Sequence, residues 1–207
     1  MAVSEMISDL EGYFRNFIPE RDDLLKALEK EAEAEAIPIV GPVVGELLSI
    51  MAGVVGARRI LELGAATGYS AIYLARGAAP VGGEVVSLEN ETEMVRRARE
   101  NAAKAGLADR IDIREGDARE EMAALETASF DLVFMDIDKE FYLPVLPHCG
   151  RLLQPGGLMI VDNVGFADAA NFNQALWESG DWRVVNLLTL LPGHSPERDG
   201  LTFALRR

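Results

Sequence analysis

An apolar strand that runs into a glycine-punctuated turn and then a helix constrains the fold of this chain more than any other feature. Residues 60–63 have the apolar character of a short buried strand, and residues 69–76 follow a helical pattern. Gly64 and Gly68 allow a tight turn and a close approach of the backbone to a ligand. The spacing fits neither the G-x-G-x-x-G of a dinucleotide site nor a lysine-containing phosphate loop. The pattern therefore predicts a nucleoside site or a purely structural turn.

The same alternation of strand and helix repeats along the chain. Further strands are predicted at residues 84–89, 111–114, 130–136 and 157–163, and the intervening segments at 91–105 and 119–125 have helical patterns. Two last strand candidates, 182–190 and 201–206, are joined without a helix, which favours a terminal antiparallel hairpin. These patterns predict an α/β fold with a doubly wound, mostly parallel sheet.

The N-terminal part of the chain is predicted to be a helical extension of one domain that spans residues 1–207. Residues 1–36 have helical character and end in a Glu/Ala tract, interpreted as a solvated surface helix or a subunit contact. Pro38 and Pro42 break this helix, and a second apolar helix follows at 43–55. The helical segment is thus expected at 1–55 and the core at 56–207, with the proline-rich stretch able to wall the site.

Charge and cysteine content narrow the function classes. Twenty lysines and arginines against 34 aspartates and glutamates give a net charge of −14, which argues against a broad nucleic-acid groove. The single cysteine, Cys149, cannot form an internal disulfide and fits a reducing compartment. No signal peptide or membrane span is recognisable, so we expect no membrane partner and a cytoplasmic protein.

Oxygen-bearing side chains follow the predicted strands at the ends where a doubly wound sheet binds its ligands. Glu89 lies 25 positions beyond Gly64, where a carboxylate can accept both hydroxyls of a ribose. Asp117, Asp136, Asp162 and Asn163 are expected at the same rim. The last three supply the hard oxygen ligands that Mg²⁺, Ca²⁺ or Mn²⁺ prefer. Capping of the next helix is the alternative interpretation of Asp162 and Asn163.

Several segments together resemble one family, the class I S-adenosylmethionine-dependent, cation-dependent O-methyltransferases that include catechol and caffeoyl-CoA O-methyltransferases. The matching segments are ILELGAATGYS at 60–70, VVSLE at 85–89, REGDA at 114–118, FDLVFMDIDKEFY at 130–142, LLQPGGLMIVDNV at 152–164 and DGLTFALRR at 199–207. The resemblance implies a Rossmann-like seven-stranded, mostly parallel sheet with an antiparallel last strand and helices on both faces. It also implies a homodimer, which the N-terminal helices are suited to form.

The resemblance further implies roles for individual residues. S-adenosylmethionine would contact Glu62, Gly64, Tyr69, Ser70, Glu89, Asp117 and Asp136, with Glu89 on the ribose and Asp117 near the adenine. The metal ligands would be Asp136, Asp162 and Asn163, with Mg²⁺ as the expected ion and Ca²⁺ or Mn²⁺ as alternatives. Lys139 would be the general base, so that Lys139 and Asp136 form the catalytic pair. Chelation of a vicinal diol would make one hydroxyl acidic, and a desolvated lysine can take its proton.

The chain also departs from the family pattern. The loop after Asn163 is short and lacks the usual tryptophan, so the acceptor stays open, and Phe166 and Trp182 are expected to be packing residues. His194 is interpreted as a loop residue, with contact to the substrate as the alternative. The leading prediction is methyl transfer to a small catechol-like or other vicinal-diol acceptor. The alternatives are a tRNA hydroxyuridine methyltransferase of the same fold and an S-adenosylmethionine-binding protein without this activity.

Overall fold

A seven-stranded sheet forms the centre of the computed structural model, which describes residues 4–207. The strand order is β3-β2-β1-β4-β5-β7-β6, and β7 alone runs antiparallel to its neighbours among these strands. The strands are β1 Arg59–Leu63, β2 Glu84–Glu89, β3 Ile111–Glu115, β4 Phe130–Met135, β5 Leu153–Val161, β6 Trp182–Leu190 and β7 Arg198–Arg206. The predicted fold class, with its terminal hairpin, is confirmed.

Helices cover both faces of this sheet. They are α1 Leu10–Phe14, α2 Asp23–Glu35, α3 Gly41–Val54, α4 Tyr69–Ala78, α5 Thr92–Lys104, α6 Ala118–Ala124, α7 Tyr142–Leu152 and α8 Ala170–Glu178. Successive strand residues point to opposite faces, so Ile60 packs with α2 to α5 and Leu61 packs with α6 to α8. The chain therefore has one core on each side of the sheet. Within the described residues, no helix combines the length and apolar character needed to cross a bilayer.

The acidic N-terminal helix is packed onto the chain itself. Helix α2 starts after Asp22, whose side chain caps the N–H of Leu25 at 2.9 Å, and it buries Leu25, Leu28 and Ala32. On its outer side, Arg97 of α5 forms ion pairs with Glu31 and Glu35. The Glu/Ala tract itself is mostly exposed, as predicted, and within residues 29–36 only Ala32 is buried.

Three other boundaries differ from prediction. The N-terminal region is helical only in pieces, with residues 4–9 and 18–22 outside any helix and residues 1–3 outside the described part of the chain. Strand β5 begins at Leu153 and contains the predicted turn at 154–157, where its register against β4 shifts. Strand β7 begins at Arg198, so the connection after β6 is short.

Candidate active site

The glycine turn after β1 brings the ends of three strands together. Gly64 has φ +92°, and a Cβ there would clash with the backbone carbonyl oxygen of Asp136. Its N–H donates to the carbonyl of Leu88 at 2.9 Å, while the N–H of Asp136 donates to the carbonyl of Leu63 at 3.0 Å. Only a residue without a side chain fits between β1, β2 and β4 in this conformation.

A cavity of about 420 Å³ opens beyond these strand ends. Among the residues predicted for the site, those that line it are Gly64, Tyr69, Ser70, Glu89, Asp117, Asp136, Lys139 and Asn163. Glu62 and Asp162 do not line it and are fully buried. Residues 36–40 line the cavity as well, which confirms that the proline-rich segment walls the site. The phenol of Tyr69 donates to Glu29 of α2 at 2.6 Å, so α2 also holds this wall.

Glu62 is a buried carboxyl group with one oxygen unpaired. The hydroxyl of Ser87 donates to its Oε2, whereas Oε1 has no hydrogen-bond partner. Burial raises the pKa of Glu62 to about 7, and the negative charges of Asp136 and Glu89 act in the same direction. Because Glu62 does not line the cavity, its contact with the methionine part of the cofactor stays a prediction.

Glu89 is held by four backbone amides. Its Oε2 accepts from the N–H groups of Ala65 and Ala66 at 3.1 and 2.8 Å, and its Oε1 accepts from those of Asn90 and Glu91 at 2.8 and 2.9 Å. Glu89 thus fixes the glycine turn against the end of β2, a role that the sequence did not suggest. Its contact with a ribose stays a prediction, and ribose hydroxyls would share the carboxylate with these amides.

Asp117 caps α6 at the edge of the cavity. Its Oδ1 accepts from the N–H of Arg119 at 2.8 Å, and hydrogen bonds with the Arg119 side chain and backbone lower the pKa of Asp117 to about 2. The guanidinium of Arg119 lies 4.7 Å from the ring centroid of Phe141. The position of Asp117 at the adenine stays a prediction, and the structure adds that its charge is already partnered by Arg119.

Two carboxylates and an amide converge at the ends of β4 and β5. Burial raises the pKa of Asp136 to about 7, and the charge of Asp162 adds to this, while Lys139 opposes it from 3.7 Å. Asp162 is fully buried, and its Oδ1 accepts from the N–H of Asn163 at 2.8 Å. Asp136 is partly exposed, and each carboxylate lies beside a basic side chain, Lys139 next to Asp136 and His194 next to Asp162. A divalent cation held by Asp136, Asp162 and the amide oxygen of Asn163 stays a prediction.

Asp199 orients the predicted ligand Asn163. The amide nitrogen of Asn163 donates to Asp199 Oδ2 at 2.8 Å, which leaves the amide oxygen unengaged by this bond. Asp199 Oδ1 accepts in turn from the N–H groups of Gly165 and Gly200 at 3.0 and 2.6 Å. Sequence reasoning did not assign Asp199, although the Asp-Gly pair at the start of a strand was a usable signal.

His194 has a second contact that the sequence missed. Its side chain is 3% exposed, and Nε2 lies 2.8 Å from Asp162 Oδ2. Burial disfavours the charged ring, but the hydrogen bond and charge of Asp162 outweigh it and raise the pKa of His194. His194 is a loop residue, as predicted, and the structure adds its buried contact with Asp162. In residues 4–207 no three His, Cys, Asp or Glu side chains are arranged as a metal site.

Aromatic rings surround Lys139 at the rim. Its Nζ lies 5.6 Å from the ring centroid of Phe166 and 6.0 Å from that of Tyr142. Phe166 is 43% exposed, so its interpretation as a packing residue is wrong, whereas Trp182 is 5% exposed and confirms that interpretation. Lys139 is thus placed between a carboxylate and an open aromatic face.

Comparison with known proteins places this architecture in a family. A family model described as O-methyltransferase matches residues 18–175. A catechol O-methyltransferase of Mycobacterium tuberculosis is 37% identical over 158 residues, which cover 75% of this chain and 71% of the relative. Another from Niastella koreensis is 38% identical over 167 residues, covering 79% and 72%. The crystal structure of an O-methyltransferase from Bacillus cereus in complex with S-adenosylhomocysteine superposes with a TM-score of 0.84 at 28% identity, covering 96% of this chain and 97% of that one. The chain belongs to the O-methyltransferase family and is an S-adenosylmethionine-dependent O-methyltransferase.

Proposed function

We propose that the protein transfers the methyl group of S-adenosylmethionine to one hydroxyl of a small catechol-like or other vicinal-diol acceptor, with the help of a divalent cation. The observation that carries the proposal is that Asp136, Lys139 and Asn163 line the cavity together, with Asp162 buried next to Asn163. The names of the two relatives, both catechol O-methyltransferases, support the same acceptor class.

On the cofactor side, the residues of β1 and β2 would bind and orient the donor. Glu62 would pair its free oxygen with the amino group, and Ser70 at the start of α4 would face the carboxylate of the methionine part. Glu89 would hold the ribose, and Asp117 would border the adenine. Bound S-adenosylmethionine supplies an electrophilic methyl group on a sulfonium. The walls from residues 36–40 would exclude water from that methyl.

On the acceptor side, Lys139 would take the proton from the hydroxyl that becomes methylated. Its Nζ stands 3.7 Å from Asp136 Oδ1, at the edge of the cavity and beside the exposed ring of Phe166. Asp136, Asp162 and Asn163 would hold the cation, which when bound makes a chelated hydroxyl more acidic and fixes both oxygens of a diol. Because the oxyanion and the sulfonium neutralise each other on transfer, a preorganised site that keeps them in line supplies most of the acceleration.

We further propose that the protein acts as a homodimer. Large apolar side chains are exposed on α1 and its 3₁₀ extension and on the edge strand β6, among them Phe14 at 53%, Phe17 at 60% and Leu188 at 88%. Isolated apolar residues are common on surfaces, but an exposed edge strand with apolar side chains favours a partner. Light scattering coupled to size-exclusion chromatography tests this proposal, and a monomer at tens of micromolar protein contradicts it.

Calorimetric titration tests the enzymatic proposal. The purified protein is titrated with S-adenosylhomocysteine, then with catechol in the presence and absence of Mg²⁺ or Mn²⁺. The proposal predicts cofactor binding in every case and catechol binding only with the cation, and it predicts that Asp136→Ala removes catechol binding. Catechol binding that ignores both the cation and this substitution would contradict it. Glu84→Gln, at the exposed start of β2 and outside the cavity lining, is the control variant.

A further inference from the structure

Two walls of the cavity are joined by an arginine that does not line it. Residues 36–40, which follow α2, form one wall, and Met94 of α5 belongs to another. Arg97 follows Met94 by about one helical turn and is not among the lining residues. Its guanidinium forms ion pairs with Glu31 and Glu35, near the end of α2. These ion pairs therefore connect the helix that leads into the first wall with the helix that carries part of the second.

The guanidinium of Arg97 contacts both carboxylates. Its Nη1 donates to Oε2 of Glu35 at 2.8 Å, and its Nη2 donates to Oε1 of the same carboxylate at 3.1 Å. Nη2 also donates to Oε1 of Glu31. The Arg97 side chain is 11% exposed, whereas those of Glu31 and Glu35 are 41% and 50% exposed. A single ion pair at a surface contributes little, but a two-point contact to one carboxylate with a second carboxylate beside it is a directional link.

Apolar packing contributes little at this end of α2. Within residues 29–36 only Ala32 is buried. Side-chain ties to the same stretch come from Arg97 and from the phenol of Tyr69, which donates to Glu29 at 2.6 Å. Glu29 lies about two helical turns before the wall, so without Arg97 the last turn of α2 would lose the side-chain tie nearest to residues 36–40.

The other end of this wall is fixed by backbone packing. Val40 is 3% exposed. Gly41 begins α3 with φ +68°, and a Cβ there would clash with the backbone carbonyl oxygen of Gly193 in the loop before β7. The wall thus has one end packed into the fold and one end held by ion pairs at the surface. An outward movement of residues 36–40 would therefore begin at the end that Arg97 holds.

We propose that Arg97 is a positioning residue for the cofactor, whose ion pairs with Glu31 and Glu35 hold residues 36–40 against the cavity and slow the exchange of S-adenosylmethionine and S-adenosylhomocysteine. The inference rests on the cofactor position of the proposed function. Segments that close over a bound ligand can limit its release. Because Arg97 does not line the cavity, loss of its ion pairs should favour opening with and without the cofactor. Association and dissociation should both become faster, and the dissociation constant should change less than either rate.

Exchange kinetics of Arg97→Met test the inference, with Arg96→Met as the matched control. Arg96 is the preceding residue of α5, is 54% exposed and pairs with Glu93 and Glu100 of its own helix, so its loss leaves the link to α2 intact. Release of labelled S-adenosylmethionine is followed after dilution into excess unlabelled S-adenosylhomocysteine. Calorimetry gives the dissociation constant, and circular dichroism reports whether each variant is folded.

A variant with both Glu31→Gln and Glu35→Gln removes the same link from its exposed side. It serves where Arg97→Met does not fold, and it shows whether Arg97 acts through these carboxylates. If it does, adding Arg97→Met to the double variant should change the release rate no further, because the interaction is already absent.

The inference predicts that Arg97→Met releases S-adenosylmethionine about threefold to tenfold faster than the wild type, and that Arg96→Met behaves like the wild type. The difference should shrink at high salt, where screening weakens the ion pairs of the wild type. Unchanged release, an equal effect of Arg96→Met, or a full effect of Arg97→Met without the two carboxylates overturns the inference and leaves the cofactor site intact. Faster release matched by an equally higher dissociation constant also overturns it, because Arg97 would then act on affinity. Absence of S-adenosylhomocysteine binding by the folded wild type overturns the cofactor position as well.

Discussion

Substitution of Glu62 by glutamine should weaken cofactor binding and at the same time stabilise the free protein. Glu62 is fully buried, its Oε1 has no partner, and burial raises its pKa from an ordinary 4.5 to about 7. A glutamine has nearly the shape of the protonated acid but carries no charge at any pH. The two effects have opposite signs because the buried charge of Glu62 destabilises the free protein but would bind the ammonium group of the cofactor.

The stability effect follows from linkage. Because the folded state holds the proton of Glu62 more tightly than the unfolded state, stability from this group is complete below pH 4.5 and is lost as pH rises toward 7. A shift of about 2.5 pKa units corresponds to about 3 kcal/mol. Above pH 7 the variant Glu62→Gln should therefore be more stable than the wild type by up to about 3 kcal/mol, and near pH 4.5 the difference should vanish.

The binding effect is the reverse. A charge-assisted hydrogen bond contributes about 1.5–3 kcal/mol, so the variant should bind S-adenosylhomocysteine about 10- to 100-fold more weakly at pH 8. The loss should shrink at pH 6, where Glu62 of the free protein is mostly protonated. Urea unfolding and calorimetry at pH 5, 6, 7 and 8 measure both effects, with Glu84→Gln as an exposed control. Weaker binding without any gain in stability above pH 7, or unchanged binding, would refute this account of Glu62.

Three further substitutions test separate parts of the site. Lys139→Met should lower the rate of methyl transfer by at least about 10²-fold, as expected for loss of a general base. The dissociation constant of S-adenosylhomocysteine, measured by calorimetry, should change little. An unaltered rate excludes Lys139 as the base. Gly64→Ala should cost at least about 2 kcal/mol in urea unfolding because of its φ of +92° and its contact with Asp136, whereas Gly180→Ala, with open space around it, should be close to neutral. Asp199→Ala should weaken metal binding by about 10- to 100-fold through loss of its hydrogen bond to Asn163, and equal metal affinity in titrations would show that Asn163 is oriented by other contacts.

The fold could be predicted from the sequence largely because its signals are local. The glycine turn after β1, the continuous apolar run of β4 and the helix-free connection between β6 and β7 each depend on neighbouring residues alone. The position of the candidate site residues could be predicted in the same way, because the carboxyl ends of parallel strands lie at one edge of the sheet. The resemblance to a family then predicted roles for individual residues, which the strand and helix pattern alone could not assign.

The residues that the sequence missed depend on contacts between distant segments. His194 lies beside Asp162, 32 positions earlier in the chain, and its loop contains Glu197, which pairs with Arg15 at a separation of 182 positions. The exposed Glu/Ala tract of α2 was predicted correctly, but its ion pairs with Arg97 of α5 were not, because Arg97 lies more than 60 positions later in the chain. Phe166 was taken as a packing residue because an aromatic side chain carries no local sign of which way it faces.

The most direct test of the central claim is methyl transfer from labelled S-adenosylmethionine to catechol, with phenol and the monomethyl ether of catechol compared under the same conditions. The account predicts that catechol is methylated in the presence of Mn²⁺ or Mg²⁺, that a chelator stops the reaction, and that the two acceptors with a single hydroxyl react far more slowly. Equal transfer to phenol and catechol, or undiminished transfer in the presence of the chelator, would contradict the assignment of Asp136, Asp162 and Asn163 to a cation that binds a vicinal diol.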